Sequence, residues 1–137
     1  MEPEILEFAN SIGATEPEEG EEVFGLYRSL FKEHNYFRHP CGFLVVKVSR
    51  SKKPFWGLHK AILQFLDENL PYNLILLTSA SQGWLFTQQE VASYIHSRAW
   101  NLDGTGKQYK INMPLPDGNM FFGPKGCLKR LGSRPDA

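Results

Sequence analysis

Hydrophobic positions along the chain recur at two periods, and the switches between them divide it into elements. From Pro3 to Ile12, the residues Ile5, Phe8, Ala9 and Ile12 fall at helical spacing, and Gly13 stands where a helix ends in a left-handed residue. Thr15-Glu16-Pro17-Glu18 reads as a capping box with proline in the first turn. It predicts a second helix that carries Val23, Leu26, Tyr27, Leu30 and Phe31 on one face and ends near His34-Asn35. After the break at Arg38-His39-Pro40-Cys41-Gly42 the period changes. Phe43-Leu44-Val45-Val46-Lys47-Val48 opens on consecutive apolar residues, which predicts a strand covered on both faces and hence a central one. Pro54 is tolerated in the first turn of a helix, and Phe55, Leu58, Ile62, Phe65 and Leu66 predict an amphipathic helix from Phe55 to Asn69.

The second half is read in the same way. Asn73–Thr78 is nearly all apolar and predicts another buried strand, which turns at Ser79–Gly83 into a short antiparallel strand, Trp84-Leu85-Phe86. Thr87-Gln88-Gln89-Glu90 is a capping box that opens a helix with Val91, Tyr94 and Ile95 on its face. Asp103-Gly104-Thr105-Gly106 predicts a turn before a strand at Gln108–Met113, in which Lys110 and Asn112 share a face. From Pro114 the chain is rich in Pro and Gly, with a turn at Pro116–Asn119, an apolar pair Phe121-Phe122 and a short helix around Pro124–Leu131.

The order α-α-β-α-β-β-α-β predicts one α/β domain over residues 1–137 with a mixed central sheet and flanking helices. Residues 1–35 form a helical lead-in, 36–113 the sheet core and 114–137 a Pro/Gly-rich tail. A chain of 137 residues, 42% hydrophobic and 22% charged, suits one folded domain and argues against extensive disorder. No apolar run approaches the roughly 20 residues that span a bilayer, so no membrane partner is expected. The acidic start, Met1-Glu2-Pro3-Glu4, lacks the charge pattern of a secretory signal, and Cys41 and Cys127 do not make a disulfide framework. A reducing cytoplasm is the expected compartment.

Charge changes the picture most. Residues 1–22 hold eight acids and no Lys or Arg, while the rest of the chain sets fifteen bases against seven acids, a net charge of +8. Such a separation steers an anionic partner toward one face. Lys47, Arg50, Lys52 and Lys53 cluster beside Phe55 and Trp56, with Lys110 further along the chain. Cations neutralise phosphates and an exposed aromatic ring stacks on a base, so nucleic acid is the expected partner, with Trp56 as the stacking residue. A solvated loop with both aromatics in the core gives the same pattern.

A strand ending in lysine, then small and basic residues, an amphipathic helix and a two-strand hairpin run from Phe43–Arg50 through Phe55–Asn69 to Leu74–Phe86. This arrangement resembles the second half of the restriction-endonuclease-like, PD-(D/E)XK, nuclease fold. In that family an acid-x-Lys sequence ends the central strand, and an earlier acid completes a magnesium site that activates water. The resemblance implies that Lys47 stands for the family lysine. The acid two residues before it is replaced by Val45, and the six residues Asn35–Pro40 are expected to be too few for the hairpin that carries the first acid. Glu22, reaching in from the N-terminal helix, pairs with Lys47 as the residual catalytic set. The implied state is a degenerate, non-cleaving relative without a resident metal; Mg2+ is expected only if the chain is an active DNA endonuclease with a non-standard set of acids.

Other chemistry is weaker. His34, His39 and Cys41 are zinc-type donors, but their spacing matches no ligand set and a fourth donor is missing. Ser49-Arg50-Ser51-Lys52 fits a Ser-x-x-Lys pattern in a basic loop, and Asp103–Lys107 is a turn and not a phosphate loop. The alternative to nucleic-acid binding is a protein-interaction module that docks through the acidic N-terminus or through Phe121 and Phe122.

Overall fold

The computed structural model describes residues 2–17 and 35–133. The second predicted helix, with Glu22 and His34, lies outside them. The described elements are α1 (Pro3–Ile12), β1 (Tyr36–His39), β2 (Gly42–Val48), β3 (Phe55–His59), α2 (Lys60–Asn69), β4 (Tyr72–Ser79) and β5 (Gln82–Thr87). They continue through α3 (Gln88–His96), β6 (Asn101–Leu102), β7 (Gln108–Asn112), β8 (Met120–Phe122) and α4 (Gly123–Ser133). Five strands form one sheet in the order β1-β2-β4-β5-β8, and three form a second in the order β3-β7-β6. The result is a single α/β domain with a mixed sheet and flanking helices, as the sequence predicts.

β2 and β4 lie side by side and parallel, with Val45 opposite Leu74 and Lys47 opposite Leu76, and the remaining pairs in the main sheet are antiparallel. Both faces of this sheet are covered, which is why its strands read as unbroken apolar runs. Alternate residues of β2 enter different cores. Phe43 and Val45 pack with Tyr36, Trp56, Leu58, Ile62, Leu66, Leu76, Trp84 and Ile111, beneath α2, α3 and the second sheet. Leu44 and Val46 point the other way, to Ile5, Phe8, Ile12, Phe121, Cys127 and Leu131 of α1, β8 and α4. The predicted inner face of α1 is thus observed, and Gly13 ends that helix at φ 75°.

The Pro/Gly-rich segment is built into this second core. Phe121 of β8 is 3% exposed and lies 5.8 Å from Phe8, ring centre to ring centre. Phe121 is therefore no docking residue, and of that pair only Phe122, 66% exposed, faces out. Gly83 of β5 must lack a side chain, because a Cβ there would collide with the Leu76 carbonyl of β4. No helix among the described residues is long and apolar enough to cross a membrane.

Two predictions about elements fail, both at strands. Asn35–Pro40 does form a hairpin: β1 pairs with β2 from Tyr36–Val45 to His39–Gly42, leaving only Pro40 and Cys41 in the turn. Gly42, at φ 121°, supplies the backbone angle that makes so tight a reversal tolerable. The helix expected from Phe55 begins only at Lys60, and Phe55–His59 is a strand.

The capping box at the start of α3 is formed as predicted. The Thr87 hydroxyl accepts from the Glu90 N–H at 3.1 Å, and the Glu90 carboxylate accepts from the Thr87 N–H at 2.9 Å. Thr87→Ala removes one cap and is expected to cost about 1 kcal/mol, read as a lower midpoint in urea denaturation with unchanged slope.

Candidate nucleic-acid interface

The loop between β2 and β3 is drawn together by one hydroxyl. Ser49 is buried, and its Oγ accepts from the Ser51 N–H at 3.4 Å and from the Phe55 N–H at 3.2 Å. Its own N–H donates to the Leu77 carbonyl at 2.9 Å. Ser49 is thus the anchor of the loop, and Ser51, Lys52 and Lys53 are exposed at its tip. The chain then enters β3, where side chains alternate between the two faces.

This alternation reverses the expected roles of the two aromatics. Trp56 points inward and is 2% exposed. Its Nε1–H donates to the Leu77 carbonyl at 3.1 Å, and its ring meets Trp84 edge-on at 5.9 Å. It cannot stack on a base. Phe55, expected inside, is 60% exposed.

The second sheet carries Phe55 into polar company. Phe55 pairs with Asn112, Gly57 with Lys110 and His59 with Gln108, while Asn101 of β6 pairs with Lys110 from the other side. Directly paired residues share a face, so Phe55, Lys110, Asn112, Gln108 and Asn101 stand on the outer one, opposite the buried Trp56, Leu58 and Ile111. All five are exposed. A Cβ at Gly57 would strike the Gln108 carboxamide, so that amide lies across the bare position beside Phe55. Lys52 and Lys53 adjoin this face through the loop that leads into it.

No carboxylate occurs on β3, β6 or β7. The acid of the β6–β7 turn, Asp103, accepts from the Thr105 hydroxyl at 2.6 Å and from the Thr105 N–H at 3.1 Å. Those hydrogen bonds hold its carboxyl below the usual range and use it within the turn. Asp103 therefore stays ionised, one negative charge in the turn, with Lys107 and Lys110 following it along the chain. A cleft of about 570 Å³ lies between α2 and α3, where Lys60 and Asp67 line it together and offset each other.

The other predicted residues separate. Lys47 ends β2 half-buried, with its ammonium 5.9 Å from the centre of the Tyr36 ring. Val45, which the resemblance sets at the place of a catalytic acid, is 0% exposed and belongs to the core. The hairpin strand beside it offers Tyr36, Phe37, Arg38 and His39, none of them a carboxylate. Glu22, the other half of the expected catalytic pair, lies outside the described residues.

Arg50 does not stand open for phosphate. Its Nε and Nη2 donate to the two Glu4 carboxylate oxygens at 2.6 and 2.7 Å, and Glu2 pairs with the same guanidinium. The Arg50 side chain in turn holds the Glu4 carboxyl below its usual range. His39 is likewise occupied: Nδ1 accepts from the Cys41 N–H at 3.1 Å, which leaves Nε2–H to donate to the Ile12 carbonyl at 3.0 Å. Its ring therefore fastens the hairpin to the end of α1. Among the described residues, no three His, Cys, Asp or Glu side chains group to hold a metal.

Sequence reading nominated Lys52, Lys53 and Lys110, set Asn112 on the face of Lys110, and missed Phe55, Gln108 and Asn101. The alternation of Tyr109-Lys110-Ile111-Asn112 was the available signal for Asn112. Phe55 and Gln108 are explained only once β3 and β7 are paired. Comparison with protein-family models, curated proteins and solved structures found no match to this chain.

Proposed function

We propose that this chain is a nucleic-acid-binding domain on a nuclease-like α/β framework that does not cleave. One observation carries the reading: an exposed aromatic, Phe55, shares an outer face with Lys110 on strands that hold no carboxylate, and Lys52 and Lys53 precede it in the exposed loop. Cations supply the sequence-independent attraction to phosphate, and an exposed ring supplies a stacking surface. The nuclease-like part of the reading is supported by the parallel β2–β4 crossover and by Lys47 at the end of β2. The lack of cleavage is supported by Val45, since a hard cation needs oxygen ligands and this side chain supplies none.

Fluorescence anisotropy with labelled oligonucleotides tests the proposal. Binding is expected at about 50 mM salt, with log K falling by about 2 to 3 per decade of salt, as for three phosphate contacts. No binding at low salt would contradict it. Addition of Mg2+ or Mn2+ is expected to produce no cleavage; metal-dependent cleavage lost in Lys47→Ala would establish the endonuclease reading instead.

The ion pairs of Arg50 yield a second expectation. Glu2→Gln/Glu4→Gln releases a cation beside Lys52, so binding is expected to tighten at low salt and the salt dependence to steepen by about 0.7 to 0.9. The same titration reads both effects.

One observation favours the protein-partner alternative, the exposed ring of Phe122 on the edge strand β8. That reading predicts a co-purifying partner lost in Phe122→Ser, with the domain still folded.

A further inference from the structure

The outer face of the second sheet bears on which kind of nucleic acid would fit it. Resting on the function proposed above, the geometry points to a single strand as its ligand, with one base stacked on Phe55 and its edge beside the Gln108 carboxamide. Three features lead to this ligand.

Phe55 is 60% exposed on a sheet surface, where the flat face of a base covers an apolar ring well. In a duplex both faces of each base are already stacked, so no base face is offered to a side chain. In a single strand, bases splay out and stack on aromatic rings.

The neighbour of Phe55 on this face of the strand is Gly57, about 7 Å away. Glycine leaves the sheet without a wall there, and the Gln108 carboxamide lies across it. A carboxamide both donates and accepts, which matches the edge of an unpaired base.

The cations lie to the sides of this position. Lys110 is paired with Gly57 across the strands, and Lys52 and Lys53 precede Phe55 in the loop anchored by Ser49. A backbone running past Phe55 thus meets a lysine on each side of the stacked base. Phe55 is the lone large apolar side chain on the outward positions of β3 and β7, and protein-docking surfaces are depleted in lysine. Charge complementarity selects the polyanion.

The test uses the full chain and labelled oligothymidylate, oligouridylate and duplex DNA of about 12 nucleotides or base pairs, within the site sizes of single-strand binders. Wild type is expected to bind single strands about tenfold or more tighter than duplex. Phe55→Ala is expected to weaken single-strand binding by about tenfold to a hundredfold, leaving duplex binding and the far-UV circular dichroism unchanged. Phe55→Trp restores a ring and is expected to restore binding, which a merely structural role for Phe55 would not require. Equal affinity for single strand and duplex, unaltered in Phe55→Ala, overturns the single-strand ligand and leaves the broader nucleic-acid reading standing. Binding to none of the three overturns both. Tighter binding of oligouridylate than of oligothymidylate assigns a contact to the 2′-hydroxyl, and equal binding assigns base face and phosphate alone; both outcomes support the proposal.

Discussion

Trp56→Ala is expected to destabilise the domain by about 3–5 kcal/mol, a large part of the 5–15 kcal/mol typical of a whole domain. The side chain is buried between the two sheets, with Trp84 against its ring. Its Nε1–H and the Ser49 N–H both donate to the Leu77 carbonyl, so one acceptor on β4 fixes the basic loop and β3 together. Alanine leaves a cavity where the sheets meet and removes one of those two bonds. The matched control is Phe55→Ala, one residue away. That ring is mostly exposed, and its loss is expected to change stability by less than about 0.5 kcal/mol. Urea denaturation followed by circular dichroism separates the two. Equal costs would contradict the assignment of Trp56 to the interior and Phe55 to the surface.

The second large effect is on binding. Lys52→Ala/Lys53→Ala removes two of the three cations of the proposed interface. If each neutralises one phosphate of a single strand, the salt dependence becomes shallower by about 1.4, and affinity near 0.1 M salt falls by about 25-fold. Both residues are exposed at a loop tip, so the thermal midpoint is expected to stay where it was. Paired titrations of wild type and double variant over a range of salt check the slope and the affinity together. Parallel lines would mean that these lysines touch no phosphate.

Legibility in the sequence followed packing. The helix Pro3–Ile12 was readable because Ile5, Phe8, Ala9 and Ile12 meet one core, and β2 and β4 because both their faces are buried. The capping box at Thr87 was readable because its hydrogen bonds are local. Two of the failures occurred where the deciding contacts are distant. Leu58 and Ile62 satisfy both a helical spacing and the end of a strand followed by a helix, and Gly57 was the one local residue against a helix there. What makes Phe55–His59 a strand is Gln108–Asn112, some fifty residues on. That error placed Phe55 inside and left Trp56 as the stacking candidate. β1 was missed because four residues closed by Pro40-Cys41 carry no common turn signature. Arg50 was expected to serve phosphate because its partners, Glu2 and Glu4, lie forty-six residues or more away in sequence.

Nucleic acid is proposed to bind one surface, the outer face of β3 and β7 with the loop before it. The most direct measurement is a titration of the isotope-labelled chain with an unlabelled single-stranded oligonucleotide, followed by amide chemical shifts. Progressive shifts are expected at Lys52, Lys53, Phe55, Gly57, Gln108, Lys110 and Asn112, with Phe122 and α4 unmoved. Shifts confined to β8 and α4, or none at low salt, would contradict it.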